Sequence, residues 1–302
     1  MKPDANPYRP ALWGMWLSVG LLWLLHWLPL PLQAAFGNAV GWLLALKPGR
    51  RRNIVATNLR LCFPDEPPAV RRRWLRQTYQ ASMRAVFEHG VLWWASERRL
   101  RWLLQIDNPE AALGDGKRPV IWLAPHFVGL DMGGARLAMD WSAASMYAPA
   151  KDPVSDHFML RGRTRFRDAL LIARHEGIKR TLSVIKSGLP FYYLPDQDHG
   201  RHNAVFVPFF GIPAATVSAL PRLARLTGAQ VVPVVPRQLP RGRGYAVRFY
   251  PPWDDYPSGD LDADGARMNR FIEDRIREMP PQSLWLHRRF KTRPEGEASL
   301  YD

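Results

Sequence analysis

The chain reads as an α/β protein: a mixed, mostly parallel sheet flanked by helices, preceded by an N-terminal hydrophobic membrane-anchoring helix and a helical N-terminal segment. Three observations predict this. From residue 118 onward short apolar runs alternate with helix-compatible stretches, residues 50–105 keep a helical period, and the first fifty residues carry two long apolar runs.

The first run extends from Ala11 to Leu32, interrupted by His26 and two prolines, and the second from Ala34 to Leu46. Roughly 20 apolar residues cross a hydrocarbon core, so the first run is long enough to span. Its four tryptophans, Trp13, Trp16, Trp23 and Trp27, suit the water-lipid interface and equally allow a helix in the membrane plane. The same pattern fits a buried helical hairpin. No small-x-small site marks a cleaved signal peptide. Lys47 and Arg50–Arg52 follow directly, which predicts that the remainder is cytoplasmic. The expected division is therefore 1–50, anchor and basic flank, and 51–302, a catalytic α/β domain with N-terminal helices.

After this, "NIVATNLRLCFPD" and a longer stretch from Pro67 read as helices, the latter carrying Arg71, Arg72, Arg73 and Arg76. "PVIWLA", "SAASMYA", "ALLIA", "LPFYYLP", "AVFVPFF", "QVVPVVP" and "YAVRFY" read as strands. "LDMGGARLAMD", a stretch near 153–166, "GIKRTLSVIKSG" and "ATVSALPRLARLTG" read as helices between them. Ligands of such sheets gather at the carboxyl ends of the strands.

The formal charge is +15, which implies partners rich in anions without choosing among phosphate, nucleic acid and acidic protein. One cysteine, Cys62, excludes an internal disulfide and cysteine-rich zinc sites. Nucleic acid is disfavoured: nine of the thirteen tryptophans lie within the first 102 residues, and no usual stacking motif is present. There is also no G-x-S-x-G elbow, phosphate loop or dinucleotide fingerprint.

Three constellations remain. His126 in "APHFVGLDMGG" follows a strand, with Asp131 in the first turn of the next helix. On one straight helix a five-residue spacing leaves the side chains about 140° apart, but across a strand-to-helix turn they can meet. An aspartate at Nδ1 would then leave Nε2 as a general base; alternatively Asp131 only supports its own helix. Second, Arg161, Arg163, Arg165 and Arg167 alternate, making an anion fork if extended or a solvated face if helical. Third, Asp196, Asp198, His199, Arg201 and His202 crowd one loop; the spacing fits no zinc or calcium pattern, so a polar loop is the simpler reading.

The order of H-x4-D, the arginine stretch, "LPDQD" and "VVPVVPR" resembles the four blocks of the glycerolipid-type acyltransferase superfamily. "NLRLCFP", "YYLPDQDHG", "VFVPFFG", "LARLTGAQVVPVVPR" and "LWLHRRFKTRPEG" are similar to the late acyltransferases of lipid A biosynthesis over nearly the whole chain. The resemblance implies an inner-membrane enzyme, active at the cytoplasmic face. It would move a fatty acyl group from acyl carrier protein to a hydroxyl of a lipid A precursor, without metal or diffusible cofactor. His126 would be the general base and Asp131 its partner, where many members have glutamate. Substrate binding would fall to Arg161, Arg163, Arg165, Asp196, Asp198 and Arg201. The superfamily's phosphate block usually reads proline-glutamate-glycine-threonine-arginine; here Asp196 replaces the glutamate and Arg201 is shifted. Oxyanion donors would be N–H groups near Gly129 or an arginine. Two rivals remain: acylation of another glycolipid such as a phosphatidylinositol mannoside, and a membrane-surface lipid-binding protein without turnover.

Overall fold

The computed structural model describes residues 9–173 and 176–301. The first apolar run is divided between two helices, α1 (Trp13–Leu25) and α2 (Leu30–Leu46), the second of which also holds the second run. The break falls at His26–Pro29, where Pro29 is extended and has no N–H to continue the helical bonding. Arg99 satisfies the carbonyls exposed there, donating to His26 at 2.5 Å and Leu28 at 2.7 Å. Among the described residues no helix is long and apolar enough to cross a membrane. The 13 residues of α1 rise about 20 Å, short of a hydrocarbon core of about 30 Å. The expected spanning run from Ala11 to Leu32 is therefore replaced by a pair of helices joined at this break. Its inner side packs on the long helix α4 (Pro68–Trp94), which follows α3 (Arg50–Cys62). Glycine is required at 41, where a Cβ would stand 2.5 Å from Gln80 Cα. Its outer side leaves Trp13, Leu17, Trp23, Leu24, Trp27 and Leu32 exposed.

The remaining elements in chain order are α5 (Glu97–Leu103), β1 (Leu104–Asp107), β2 (Val120–Leu123), α6 (Leu130–Asp140), β3 (Ala144–Tyr147), α7 (Pro153–Arg163) and β4 (Leu170–Ala173). There follow α8 (Gly177–Lys186), β5 (Phe191–Tyr193), β6 (Ala204–Phe209), β7 (Ile212–Val217), α9 (Ala219–Thr227), β8 (Gln230–Gln238), β9 (Tyr245–Phe249) and α10 (Leu261–Glu278). Seven strands form the main sheet in the order β1-β9-β8-β2-β5-β3-β4, with only the β8–β9 pairing antiparallel. This is the mixed, mostly parallel sheet the alternation predicts. "AVFVPFF" departs from it: β6 pairs with β7 in a separate antiparallel hairpin packed on α10.

Strand periodicity divides the core. Ile121 and Leu123 of β2 enter one cluster with Ile185 of α8, Leu223 of α9 and Ile272 of α10. Val120 and Trp122 point to the other face, against Leu137 of α6, Val232 and Phe249. A strand apolar on both faces belongs in the centre of a covered sheet, where β2 lies.

Candidate active site

β2 and β5 are parallel neighbours, with Leu123 in register with Tyr193. Each chain leaves its strand through a proline and reaches a polar residue three positions on: His126 after β2 and Asp196 after β5. Their side chains meet, His126 Nδ1 lying 2.6 Å from Asp196 Oδ1, while the backbone N–H of His126 donates to Oδ2 at 2.7 Å. The C-terminal segment pins the same loop from behind: Leu284 N–H donates to the His126 carbonyl, and Val128 N–H to that of Gln282.

The hydrogen bond at Nδ1 thus goes to Asp196 and not to Asp131, the partner expected from the sequence. Asp131 is close, but its oxygens are engaged elsewhere: Oδ1 accepts from Arg163 Nε at 2.9 Å and Nη2 at 2.8 Å, and Oδ2 faces His89 Nε2 at 3.3 Å. The other nitrogen of His89 lies 2.5 Å from the Ala85 carbonyl. A histidine with an acceptor at each ring nitrogen satisfies both only as imidazolium, so Asp131 is a carboxylate held between two cations.

The titration behaviour follows from this geometry. Burial pushes the His126 pKa down, but the charge and hydrogen bond of Asp196 outweigh it and leave it raised. Burial acts upward on Asp196, yet His126 and the backbone N–H bring it below its ordinary value. Asp131 is likewise opposed by burial but held well below the carboxylate range by Arg163 and His89. His89 is raised, Asp131 and the Ala85 carbonyl overcoming burial.

His126, Asp131 and Arg163 line a cavity of about 480 Å³. Its wall also includes the apolar side chains of Leu137, Ala138, Ala144, Met146, Met159 and Leu171. Exposed Ala148, His199, His202 and Asn203 also line it and mark the opening.

Of the other expected substrate-binding residues, Arg163 lines the cavity, whereas Arg161 and Arg165 do not converge with it. The fork required an extended chain, but α7 continues to Arg163, so successive side chains diverge. Arg161 is solvent-exposed, and Arg165 donates to the carbonyls of Leu92 and Ala95 at the end of α4. Arg201 is exposed, its guanidinium 5.7 Å from the Phe206 ring centre. Asp196 bonds the His126 side chain and backbone. Asp198 is fully buried: Oδ1 accepts from Gly200 N–H and Thr292 Oγ1, and Oδ2 from Thr292 N–H. Its own N–H donates to His287 Nε2 at 3.0 Å. Burial together with Lys291 and Arg289 lowers the His287 pKa to about 4, consistent with its acting as an acceptor.

The tail motif "HRRFKTRPEG" thus acts as a clamp on the Asp196–Asp198 loop. Buried Arg289 donates to the Ala215 carbonyl, Thr216 and Asn269, and Asn58 in turn donates to the carbonyls of Trp285 and His287. The sequence singled out the motif but not its use, and His89 carried no signal at all, being one polar residue on a long helix. No group of metal-ligating side chains able to hold an ion is found among the described residues.

Residues 3–292 match the family described as bacterial lipid A biosynthesis acyltransferase. The chain is 35% identical to the lipid A biosynthesis lauroyltransferase of Escherichia coli (strain K12), over 97% of this chain and 96% of that one. It is 32% identical to the palmitoleoyltransferase of the same organism, over 97% and 96%, and 30% identical to its myristoyltransferase, over 99% and 93%.

Proposed function

The chain belongs to the bacterial lipid A biosynthesis acyltransferase family, and from that premise we propose that it moves a fatty acyl group from acyl carrier protein to a hydroxyl of a lipid A precursor. One observation carries the chemistry: His126, bonded through Nδ1 to Asp196, lines a cavity whose wall is partly apolar. Asp196 holds the proton on Nδ1, which leaves Nε2 as the base. His126 Nε2 takes the proton of the acceptor hydroxyl as its oxygen attacks the thioester carbonyl. The tetrahedral intermediate collapses, the carrier thiolate leaves, and the imidazolium returns the proton to it. Net charge at the site changes only transiently, and no metal or cofactor is needed.

Arg163 lines the cavity with His126 and is positioned through Nε and Nη2 by Asp131, so that its charge and its Nη1 group serve the oxyanion. Its neighbours limit the backbone alternatives: Val128 N–H and Leu130 N–H are already bonded to Gln282 and Phe127. The apolar wall from Leu137 to Leu171 takes the acyl chain. Membrane association comes through the outer side of α1 and α2, whose exposed tryptophans and leucines suit the interface on the cytoplasmic side of the inner membrane.

The test is purified His126→Ala with acyl-carrier thioester and a tetra-acylated, phosphorylated disaccharide acceptor. Loss of transfer by about 10²–10⁴-fold with the acceptor still bound is expected; undiminished transfer would sink the mechanism.

A further inference from the structure

We infer that the exposed face formed by α8 and α9 is where the acidic carrier protein docks to present its thioester at the cavity mouth. The inference rests on the carrier-borne donor proposed above. Both helices are amphipathic. Thr181, Val184 and Ile185 of α8, with Leu220, Leu223 and Ala224 of α9, face inward, and the two helices pack side by side. Outward they present Lys179, Arg180 and Lys186 from α8, and Arg222 and Arg225 from α9. None of these five forms an ion pair with a carboxylate among the described residues. A cationic face without internal neutralisation attracts an acidic partner and orients its approach.

The face also carries two exposed apolar side chains among the charges, Ile178 and Leu226. That combination suits a small, transient protein contact: charge for encounter, a little apolar area for seating. An anionic lipid surface is the other ligand of this charge. It fits less well, because the exposed tryptophans lie on α1, α2, the turn between them and α5, and neither α8 nor α9 contains an aromatic residue.

Position ties the face to the reaction. Ala219, the first residue of α9, lines the cavity, as do exposed His202 and Asn203. Arg222 Nη1 donates to Asn203 Oδ1 at 3.2 Å, so the basic face reaches the opening through which a carrier-bound acyl chain must enter.

The experiment uses the full chain carrying Lys179→Glu, Arg180→Glu and Arg225→Glu together, with the lipid acceptor held constant. Transfer is measured from an acyl-carrier thioester and from the same acyl group on a small thiol, and binding of the unacylated carrier is followed by fluorescence anisotropy. The expected result is a KM for the carrier thioester raised about tenfold or more, with matching loss of carrier binding and of its salt sensitivity. Transfer from the small thioester should stay within about twofold, which also shows that the variant is folded. Unchanged carrier KM and binding would overturn the proposal, as would equal losses with both donors or loss of binding to anionic phospholipid vesicles alone. Failure of the donor reading looks different: the unaltered protein itself would show no preference for the carrier thioester.

Discussion

His126 and Asp196 occupy equivalent positions at the ends of neighbouring parallel strands, three residues past the paired Leu123 and Tyr193, and their side chains meet at 2.6 Å. Register, not sequence proximity, therefore selects the carboxylate that orients the histidine. Asp131, only five residues away, instead supports Arg163 and His89.

The two aspartates separate under substitution. Asp196→Asn leaves the shape but allows the wrong tautomer, so kcat should fall about 10²–10³-fold with KM nearly unchanged. Asp131→Asn removes the counter-charge between His89 and Arg163, so it should lower stability and, by displacing Arg163, lower kcat less than Asp196→Asn does. Steady-state kinetics of both variants decide; a larger kcat loss for Asp131→Asn would reverse the assignment.

The pH profile follows from the direction of the His126 shift. The base must be neutral, and Asp196 raises its pKa above the ordinary 6.5, so kcat/KM should rise with pH through a midpoint above that value. In Asp196→Asn burial acts without the opposing carboxylate, and the midpoint of the residual activity should move to lower pH. An unshifted midpoint would show that another group controls the limb.

Stability should narrow at both ends of the pH scale. The raised pKa of His89 means its contribution is complete below its unfolded-state value and is lost as pH rises through the folded one. The depressed values of Asp131 and Asp196 mean the reverse: their contributions are present above about 3.8 and disappear as pH falls. Thermal melts against pH check this, and His89→Gln should weaken the alkaline decline, leaving the part due to His126, and should also weaken the acid limb through Asp131.

Thr292→Val removes the hydroxyl on Asp198 Oδ1 while retaining side-chain volume. Leaving a buried carboxylate oxygen less well satisfied costs about 1–3 kcal/mol, which lowers Tm by about 2–5 °C. Because the same loop carries Asp196, kcat should fall with it. Scanning calorimetry and kinetics on one preparation test the link; a lower Tm with intact kcat would show that Asp196 does not depend on the clamp.

Ala138→Leu narrows the apolar wall on the side of α6. Each methylene in such a slot changes selectivity by about tenfold or more, so preference should shift toward shorter acyl chains. Competition between thioesters two carbons apart, read by mass spectrometry of the product, measures it, and an unaltered product ratio would place the chain elsewhere.

Much of the fold was legible in the sequence because local pattern encodes it. The alternation after residue 118 specifies a covered parallel sheet, and β2 and β5 fall where "PVIWLA" and "LPFYYLP" predict strands. The long motifs identified the family over nearly the whole chain, and His126 was found by its position after a strand. Tertiary structure decided what local spacing cannot encode. Strand adjacency brings Asp196 rather than Asp131 to His126 Nδ1. The turn at His26–Pro29 divides an apolar run long enough to span into two helices that pack on α4. Continuation of α7 to Arg163 leaves only that arginine of the alternating set at the cavity. The reason is common to all three: period and motif are properties of neighbours along the chain, whereas a charge partner is chosen by which strand ends and helices lie side by side.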